Sequence, residues 1–225
     1  MRRKVAILVG VSGAATAIGV ALSVIFSQPN PTAGMTGQTR VAFYGDSYTL
    51  GTGLVDRGDR WSTRLCQQRG WSEFNPSVNG LGFINNRMRF GAGSGDEPDQ
   101  IISENPDIVI VTMGLNDNFS FAIAADAIHD QIDDDFDRLS SALPGARLIA
   151  VEPFWYSDER PESIAVISGW VRAAAARVGA DFIPGASHWI EGHPEWMAPD
   201  RLHPNKHGYD EITARMDAAL STLNL

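Results

Sequence analysis

Short apolar runs alternate with helical patterns along most of this chain, and this alternation limits the possible folds more than any other feature. Residues 108–113 form a continuous apolar run, typical of a strand buried on both faces of a parallel sheet. Four further runs predict strands of the same sheet: residues 41–44, 74–78, 147–151 and 181–183. The run at 74–78 is the weakest, because it contains Pro76. Helical patterns follow the strands at four places: residues 61–69, 121–143, 163–178 and 205–220.

This alternation predicts a parallel sheet with helices on both faces, a three-layer α/β/α sandwich. In such sheets, ligands bind at the carboxyl ends of the strands, so we expect chemically active residues directly after the apolar runs. The 225 residues suffice for one domain of this kind. A content of 44% hydrophobic and 20% charged residues is ordinary for a folded chain and excludes disorder as its main state.

The N-terminal segment has a different pattern. Arg2, Arg3 and Lys4 precede a 22-residue run of apolar and small residues, 5–26, that contains no acidic residue. Such a segment is typical of an export signal or a membrane anchor, and its length suffices to span a bilayer as a helix. The absence of a clean A-x-A cleavage site before residue 27 favours an uncleaved anchor.

Residues 27–39 contain two prolines and two glycines and are typical of a linker. We therefore expect an exported protein, secreted or anchored to the outer face of the cytoplasmic membrane. Its folded domain is expected at residues 40–225, as a monomer that meets the membrane only through the N-terminal segment.

Charge and cysteine content exclude several classes. Without the three N-terminal basic residues, 15 Lys and Arg stand against 27 Asp and Glu, a net charge of about −12. Such an acidic domain is not suited to binding nucleic acid or an anionic membrane surface. Cys66 is the only cysteine, so no intramolecular disulfide forms, and its helical pattern predicts a small buried side chain.

Ser47 directly follows the first predicted strand, in the segment Gly45-Asp46-Ser47. A serine at a strand-to-helix turn presents its hydroxyl at the sheet edge, and its own N–H lies near a helix N-terminus, where it can donate to an oxyanion. Gly45 tolerates a tight turn. Taken alone, this segment is equally compatible with a helix-capping serine.

Asn116 follows the third strand in the same way, in Gly114-Leu-Asn116-Asp117. Its side-chain amide is a neutral donor that suits a developing oxyanion. The alternative interpretation is an Asn-Asp pair that caps the next helix.

Asp200 and His203 lie just before the last helix, in the segment Asp-Arg-Leu-His-Pro. A carboxylate three residues before an imidazole can accept a hydrogen bond from Nδ1–H, which leaves Nε2 free as a base. Pro204 suits a first helical turn. On its own, the pair is better explained as a surface Asp and His beside a capped helix.

Together with residues 75–80 (Asn-Pro-Ser-Val-Asn-Gly), these segments resemble the SGNH or GDSL hydrolase family, whose four blocks contribute Ser, Gly, Asn and His. The blocks occur in the family's order, and the resemblance covers residues 40–225. It implies a flavodoxin-like, mostly parallel five-stranded sheet. The motif G-x-S-x-G is absent around Ser47, which argues against the α/β-hydrolase fold.

The resemblance also implies roles for the site residues. Ser47 is the expected nucleophile, His203 its base and Asp200 the carboxylate that orients His203. The expected oxyanion hole combines the N–H groups of Ser47 and Gly80 with the Asn116 side chain.

The second block leaves one choice open, because Gly82 follows Gly80 closely and can supply the same N–H donor. The spacing from Asn75 favours Gly80.

The chain is therefore expected to be a serine ester hydrolase that needs neither a metal nor an organic cofactor. Lipid, glycan and small-molecule esters all remain open as substrates. Two alternatives stay open as well. One is an envelope acyltransferase that passes the acyl group to a sugar hydroxyl, and the other is a catalytically silent carbohydrate-binding domain that keeps the fold.

Other residues give weaker signals. His188, His193 and His207 are interpreted as loop histidines without a ligand role, because no metal-binding spacing surrounds them. Three tryptophans are predicted at the same sheet edge, as a substrate platform or as packing under a long loop: Trp155, Trp189 and Trp196. The run of three aspartates at 133–135 is interpreted as a solvated helix face.

Overall fold

Five parallel strands form the centre of the fold in the computed structural model, which describes residues 37–90 and 96–225. The strands are β1 (Arg40–Tyr44), β2 (Ser72–Phe74), β3 (Ile108–Val111), β4 (Arg147–Val151) and β5 (Asp181–Ile183). Their order in the sheet is β2-β1-β3-β4-β5. This is the flavodoxin-like order, and its switch point lies between β1 and β3.

Helices cover both faces of the sheet. They are α1 (Ser47–Leu50), α2 (Trp61–Arg69), α3 (Arg87–Phe90), α4 (Glu97–Glu104), α5 (Phe121–Ala142), α6 (Glu162–Val178) and α7 (Lys206–Thr222). Helices α2 and α7 pack together on one face, whereas α4, α5 and α6 pack on the other. The expected three-layer α/β/α sandwich with a parallel sheet is confirmed.

The side-chain alternation of β1 explains why its residues 41–44 are all hydrophobic. Val41 and Phe43 belong to the hydrophobic cluster under α2 and α7, while Ala42 and Tyr44 belong to the cluster under α5 and α6. A strand covered on both faces buries side chains on both, so residues 41–44 show no polar alternation, and only Arg40 at the start of β1 is exposed.

The second strand and helix α4 differ from the sequence-based prediction. The second strand was predicted at residues 74–78 but spans Ser72–Phe74, and it does not continue past Phe74 because Pro76 has no N–H to donate to a ladder. Helix α4 was not predicted. Asp96 begins it by accepting a hydrogen bond from the Asp99 N–H at 3.1 Å.

The aspartate run of α5 was only partly interpreted correctly. Asp133 is partly exposed and pairs with Arg177, but Asp135 is 1% exposed. Its carboxylate accepts hydrogen bonds from the Tyr44 hydroxyl at 2.6 Å and from both terminal nitrogens of Arg87 at 2.6 and 2.7 Å. The prediction of a solvated face is wrong for Asp135, because its helix position faces the sheet and finds a buried cation there.

Cys66 is buried in α2, as its pattern predicted, and burial raises the pKa of its thiol to about 12. The predicted anchor at residues 1–26 lies outside the described residues, as does most of the linker at 27–39. Across residues 37–90 and 96–225, no helix is long and apolar enough to cross a membrane.

The buried ion pair between Arg87 and Asp135 gives a stability prediction. Asp135→Ala should lower the free energy of unfolding by about 3 kcal/mol, because it leaves a largely buried guanidinium with only Asp96 as an acidic partner. Asp134→Ala, at the exposed neighbouring position, should change it by less than about 0.5 kcal/mol. Urea unfolding followed by tryptophan fluorescence measures both, and equal effects would contradict the role given to Asp135.

Candidate active site

Ser47 begins the single-turn helix α1, directly after β1, and is 5% exposed. Asp46, and not Ser47, caps this turn by accepting a hydrogen bond from the Tyr48 N–H at 2.9 Å. The serine hydroxyl is therefore not used as a cap. Gly45 is required here, because a Cβ at this position would lie 2.5 Å from Thr49 Oγ1 and 2.7 Å from Thr112 Oγ1.

Asn116 lies next to the Ser47 turn, in the loop after β3. Its Nδ2 donates to Asp46 Oδ2 at 3.0 Å and to the Leu81 carbonyl at 2.9 Å. The side chain makes no helix-capping bond, so the capping alternative does not describe it. Asn116 instead joins the loops that follow β1, β2 and β3.

The structure distinguishes between the two candidate glycines of the second block. The Gly82 N–H donates to the Asn85 carbonyl at 2.9 Å, and a Cβ on Gly82 would lie 2.5 Å from Asp117 Oδ1. Because Gly82 has no side chain, its loop can lie close to the Asp117 carboxylate. The Gly80 N–H makes no hydrogen bond within the described residues, while its carbonyl accepts from the side-chain amides of Asn85 and Asn86, each at 2.8 Å. Of the two N–H groups, that of Gly80 is free to meet a ligand.

Asp117 fixes the loop that carries Gly80, a role that the sequence did not reveal. Its carboxylate accepts three backbone N–H bonds, from Phe83 at 2.7 Å, Ile84 at 2.9 Å and Asn85 at 3.2 Å. Burial raises the pKa of Asp117, and these three donors oppose that rise. The adjacency of Asn116 and Asp117 was the only signal in the sequence, since the loop that they hold lies more than 30 residues earlier.

Asp200 and His203 form the hydrogen-bonded pair that their spacing predicted. Asp200 Oδ2 lies 2.8 Å from His203 Nδ1, and Asp200 Oδ1 accepts the N–H groups of Leu202 and His203, each at 3.0 Å. Desolvation raises the pKa of Asp200, but these hydrogen bonds outweigh it and bring the pKa to about 2. Asp200 is therefore ionised at neutral pH, and a carboxylate beside Nδ1 favours the tautomer of the neutral imidazole that carries its proton on Nδ1.

We expected Pro204 in the first turn of α7, but it lies before the helix and forms an isolated β-bridge with Met197. The helix begins at Lys206, and Asn205 caps it by accepting the Gly208 N–H at 3.1 Å. The proline thus holds the end of the histidine loop and not the helix start.

Two tyrosines connect the serine turn to the histidine loop and to α7. The Tyr48 hydroxyl donates to the Leu202 carbonyl at 2.7 Å, and the Tyr209 hydroxyl donates to the Thr52 carbonyl at 2.8 Å. The Tyr48 and His203 ring centroids are 6.1 Å apart. Among the described residues, no hydrogen bond joins Ser47 Oγ to His203 Nε2. Hydrogen bonds between a nucleophile and its base commonly tighten only when substrate binds.

Buried carboxyl groups lie behind the site. Burial raises the pKa of Asp46 to about 7, so this group changes charge near neutral pH. Glu97 is 3% exposed, and neither of its carboxyl oxygens has a hydrogen-bond partner within the described chain. Burial also raises the pKa of Glu97 well above its usual value, which favours its neutral form.

Comparisons with known proteins identify the family to which the chain belongs. The sequence profile of the GDSL-like lipase/acylhydrolase family matches residues 43–211. The chain belongs to this family.

Individual relatives of this GDSL-like hydrolase are distant. A GDSL lipase of Mycobacterium tuberculosis is 25% identical over 191 residues, which cover 80% of this chain and 81% of the relative. The crystal structure of an esterase from Pseudoalteromonas sp., inhibited by monoethylphosphonate, has a TM-score of 0.64 at 16% identity and covers 84% of this chain and 100% of the other. A carbohydrate acetylesterase from Sinorhizobium meliloti has a TM-score of 0.63 at 14% identity, with 83% and 100% covered. The two structures show that the fold is shared.

Two of the histidines that gave weaker signals in the sequence are paired with nearby glutamates. His188 pairs with Glu191 at 2.6 Å and His193 with Glu195 at 2.8 Å. Across the described ranges, no three His, Cys, Asp or Glu side chains are placed to hold a metal ion.

Two of the three tryptophans at this edge, Trp155 and Trp189, are buried in the core, as the packing interpretation proposed. Trp196 is only partly buried, and its ring stacks on His193 with the ring centroids 3.5 Å apart.

The contacts of Asp117 predict a kinetic effect in this hydrolase. An amide offers one acceptor oxygen where the carboxylate offers two, so Asp117→Asn should leave part of the Gly80 loop unheld. If the Gly80 N–H is the expected oxyanion donor, kcat for 4-nitrophenyl acetate should fall about tenfold or more, with a smaller change in KM, because such a donor acts mainly on the transition state. Asp126→Asn, at an exposed position of α5, is the matched control and should keep both constants. An unchanged kcat in folded Asp117→Asn enzyme would refute the positioning role.

Proposed function

We propose that this GDSL-like hydrolase cleaves carboxylic esters with Ser47 as nucleophile, His203 as general base and Asp200 as the orienting carboxylate. The observation that carries the proposal is the 2.8 Å Asp200–His203 pair, tied through Tyr48 to the turn that presents Ser47. His203 Nε2 takes the hydroxyl proton as Ser47 Oγ attacks the ester carbonyl. Protonated His203 then returns the proton to the leaving alcohol, and water releases the acyl group by the same steps.

The tetrahedral intermediate would receive three donors. The Ser47 N–H is the first of α1 and has no acceptor within the helix, and the Gly80 N–H is likewise free. The third donor is Asn116 Nδ2, whose two hydrogens are directed at Asp46 and the Leu81 carbonyl. An oxyanion would have to share or replace one of these acceptors. Because Asp46 is close to its titration midpoint at neutral pH, its bond to Asn116 is the one more readily weakened.

The substrate class is proposed at the level of esters. The lipase name of the mycobacterial relative supports an acyl ester of a lipid, whereas the acetylesterase from Sinorhizobium meliloti supports an acetylated glycan. A screen of acyl chain length that includes acetylated glycans distinguishes them. Addition of a sugar acceptor to the same assay reveals any acyl transfer.

We also propose that the protein is exported through its N-terminal segment, with residues 1–26 as signal or anchor and residues 27–39 as linker. The basic head and the apolar run of the sequence support this. Fractionation of cells that express the full chain tests it, and full-length protein that remains in the cytosol would contradict it.

Ser47→Ala provides the direct test of the nucleophile. The variant should lose hydrolysis of 4-nitrophenyl acetate and labelling by a fluorophosphonate, because no other hydroxyl replaces the attacking oxygen. Ser103→Ala, at an exposed position of α4, is the control and should retain both. Labelling of Ser47→Ala at another serine, with its activity preserved, would exclude Ser47 as the nucleophile.

The assignment of His203 as the general base is tested by comparing variants of His203, Asp200 and His207. His203→Ala should be at least as damaging to kcat/KM as Asp200→Asn, since the first removes the base and the second removes only its orienting partner. His207→Ala should have little effect, because His207 is exposed and its contacts are with Glu211 at 4.0 Å and with the Trp196 ring, at a centroid distance of 5.4 Å. A pH series should show kcat/KM falling as the imidazole becomes protonated at low pH. If His207→Ala is the most damaging of the three variants, the assignment of His203 is wrong.

A further inference from the structure

A groove of about 520 Å³ opens beside the histidine loop, a volume suited to a small ligand. Its walls come from the loop after β4 and from the long segment before α7. The residues that matter for its chemistry are Tyr156, Ser157, Asp158, Ile190, His193 and Arg201. Arg201 lies between Asp200 and His203 in sequence, so one wall of the groove belongs to the loop that carries the proposed catalytic pair.

Arg201 has an unusual backbone. Among the described residues, four non-glycine residues have a positive φ, and three of them are asparagines, which tolerate the left-handed region. Arg201 is the fourth, with φ of 55°. The turn itself explains the conformation, since it allows Asp200 Oδ1 to reach the N–H groups of Leu202 and His203. The turn does not explain why residue 201 is an arginine, because a glycine would adopt this conformation without strain. Strain of this kind points to a use for the side chain.

The Arg201 guanidinium is also unpaired. Within the described part of the chain it makes no ion pair and no hydrogen bond, although carboxylates outnumber basic groups in this protein. The acidic side chain of the groove, Asp158, accepts the Gly192 N–H at 2.7 Å. His193 is paired with Glu195. Arg201 is thus the positive group that remains available to a ligand in the groove.

The position of the groove indicates which part of an ester it would receive. In the proposed mechanism, His203 returns its proton to the leaving alcohol, so the alcohol part must lie on the histidine side of the site. We propose that the groove is a subsite for an alcohol part that carries an anionic group, a carboxylate, sulfate or phosphate, and that Arg201 binds this group. The proposal rests on the proposed ester hydrolase function and names its substrate class. Tyr156 and Ile190 supply apolar surface for the body of the alcohol.

The test compares two acetate esters with similar leaving groups, 4-acetoxybenzenesulfonate and neutral methyl 4-acetoxybenzoate. The wild-type enzyme should have the higher kcat/KM for the sulfonate, and Arg201→Gly should lower the ratio of the two kcat/KM values about tenfold or more. Glycine fits the positive φ, so this variant removes the side chain without straining the turn. Arg215→Ala removes an exposed, equally unpaired arginine of α7 and should keep the wild-type ratio. High salt should reduce the preference, because the charge is exposed.

A binding measurement separates this proposal from the hydrolase function. Calorimetric titration with 4-hydroxybenzenesulfonate should give at least about tenfold weaker binding to Arg201→Gly than to wild type and to Arg215→Ala. If the enzyme hydrolyses both esters with equal kcat/KM and Arg201→Gly changes neither ratio nor binding, the subsite is refuted while the hydrolase function stands. If neither ester is cleaved but binding depends on Arg201, then Arg201 binds the anion, and the assignment of that anion to the alcohol part of an ester is refuted. Acetylated galacturonate and acetylated glycerol 3-phosphate then distinguish an acidic sugar from a lipid headgroup as the source of the anion.

Discussion

The pairing of β1 with β3 is the constraint on which the rest of the site depends. These strands lie side by side in register, with Tyr44 opposite Val111, so both chains leave the sheet at the same level. The hydroxyls of Thr49 and Thr112 meet at 2.7 Å just beyond the strand ends, in the space that Gly45 leaves open. The strand pairing and the threonine contact therefore hold the two loops together without any contribution from the proposed catalytic side chains. Ser47 and Asn116 share one small region because the strands that precede them share a ladder.

Several carboxyl groups lie buried in the protein interior. They differ in the partners that compensate their charge. Asp117 accepts three backbone N–H groups, while Asp135 is matched by the buried charge of Arg87. Asp46 has the amide of Asn116, and Glu97 has no partner among the described residues. An unpaired buried charge is costly, so a buried carboxyl group with fewer donors or cationic partners favours its protonated form. Of these four groups, Glu97 has the fewest partners among the described residues, and its neutral form is favoured. The loops behind the proposed oxyanion hole are thus fixed by polar groups that cannot move without losing their compensation.

The sequence predicted those parts of the fold and site whose causes are local. An apolar run specifies a buried strand by itself, and Asp200 specifies the orientation of His203 within four residues, so both were predictable. The short β2 was misplaced, since its boundary depends on the lack of an N–H at Pro76 as well as on hydrophobicity. The backbone donors to Asp117, and the Tyr44 and Arg87 side chains that bind Asp135, lie 32 to 91 residues away in sequence, whereas Gln131, which also donates to Asp135, lies four residues away. No periodicity encodes such contacts, and for this reason Asp135 was interpreted as solvated and the role of Asp117 was missed.

The two halves of the proposed site are built on different principles. The serine half is assembled from loops after three strands, and a change in any one of them disturbs the others through Asn116 and Asp117. The histidine half is one continuous segment that makes its own turn and is tied to the serine turn mainly through the Tyr48 hydroxyl. Side chains on this segment can vary without affecting the sheet, because their backbone is held by Asp200 and by the bridge between Met197 and Pro204. Arg201 lies in this segment, where the fold permits a new substrate contact at the least cost to the oxyanion-binding loops.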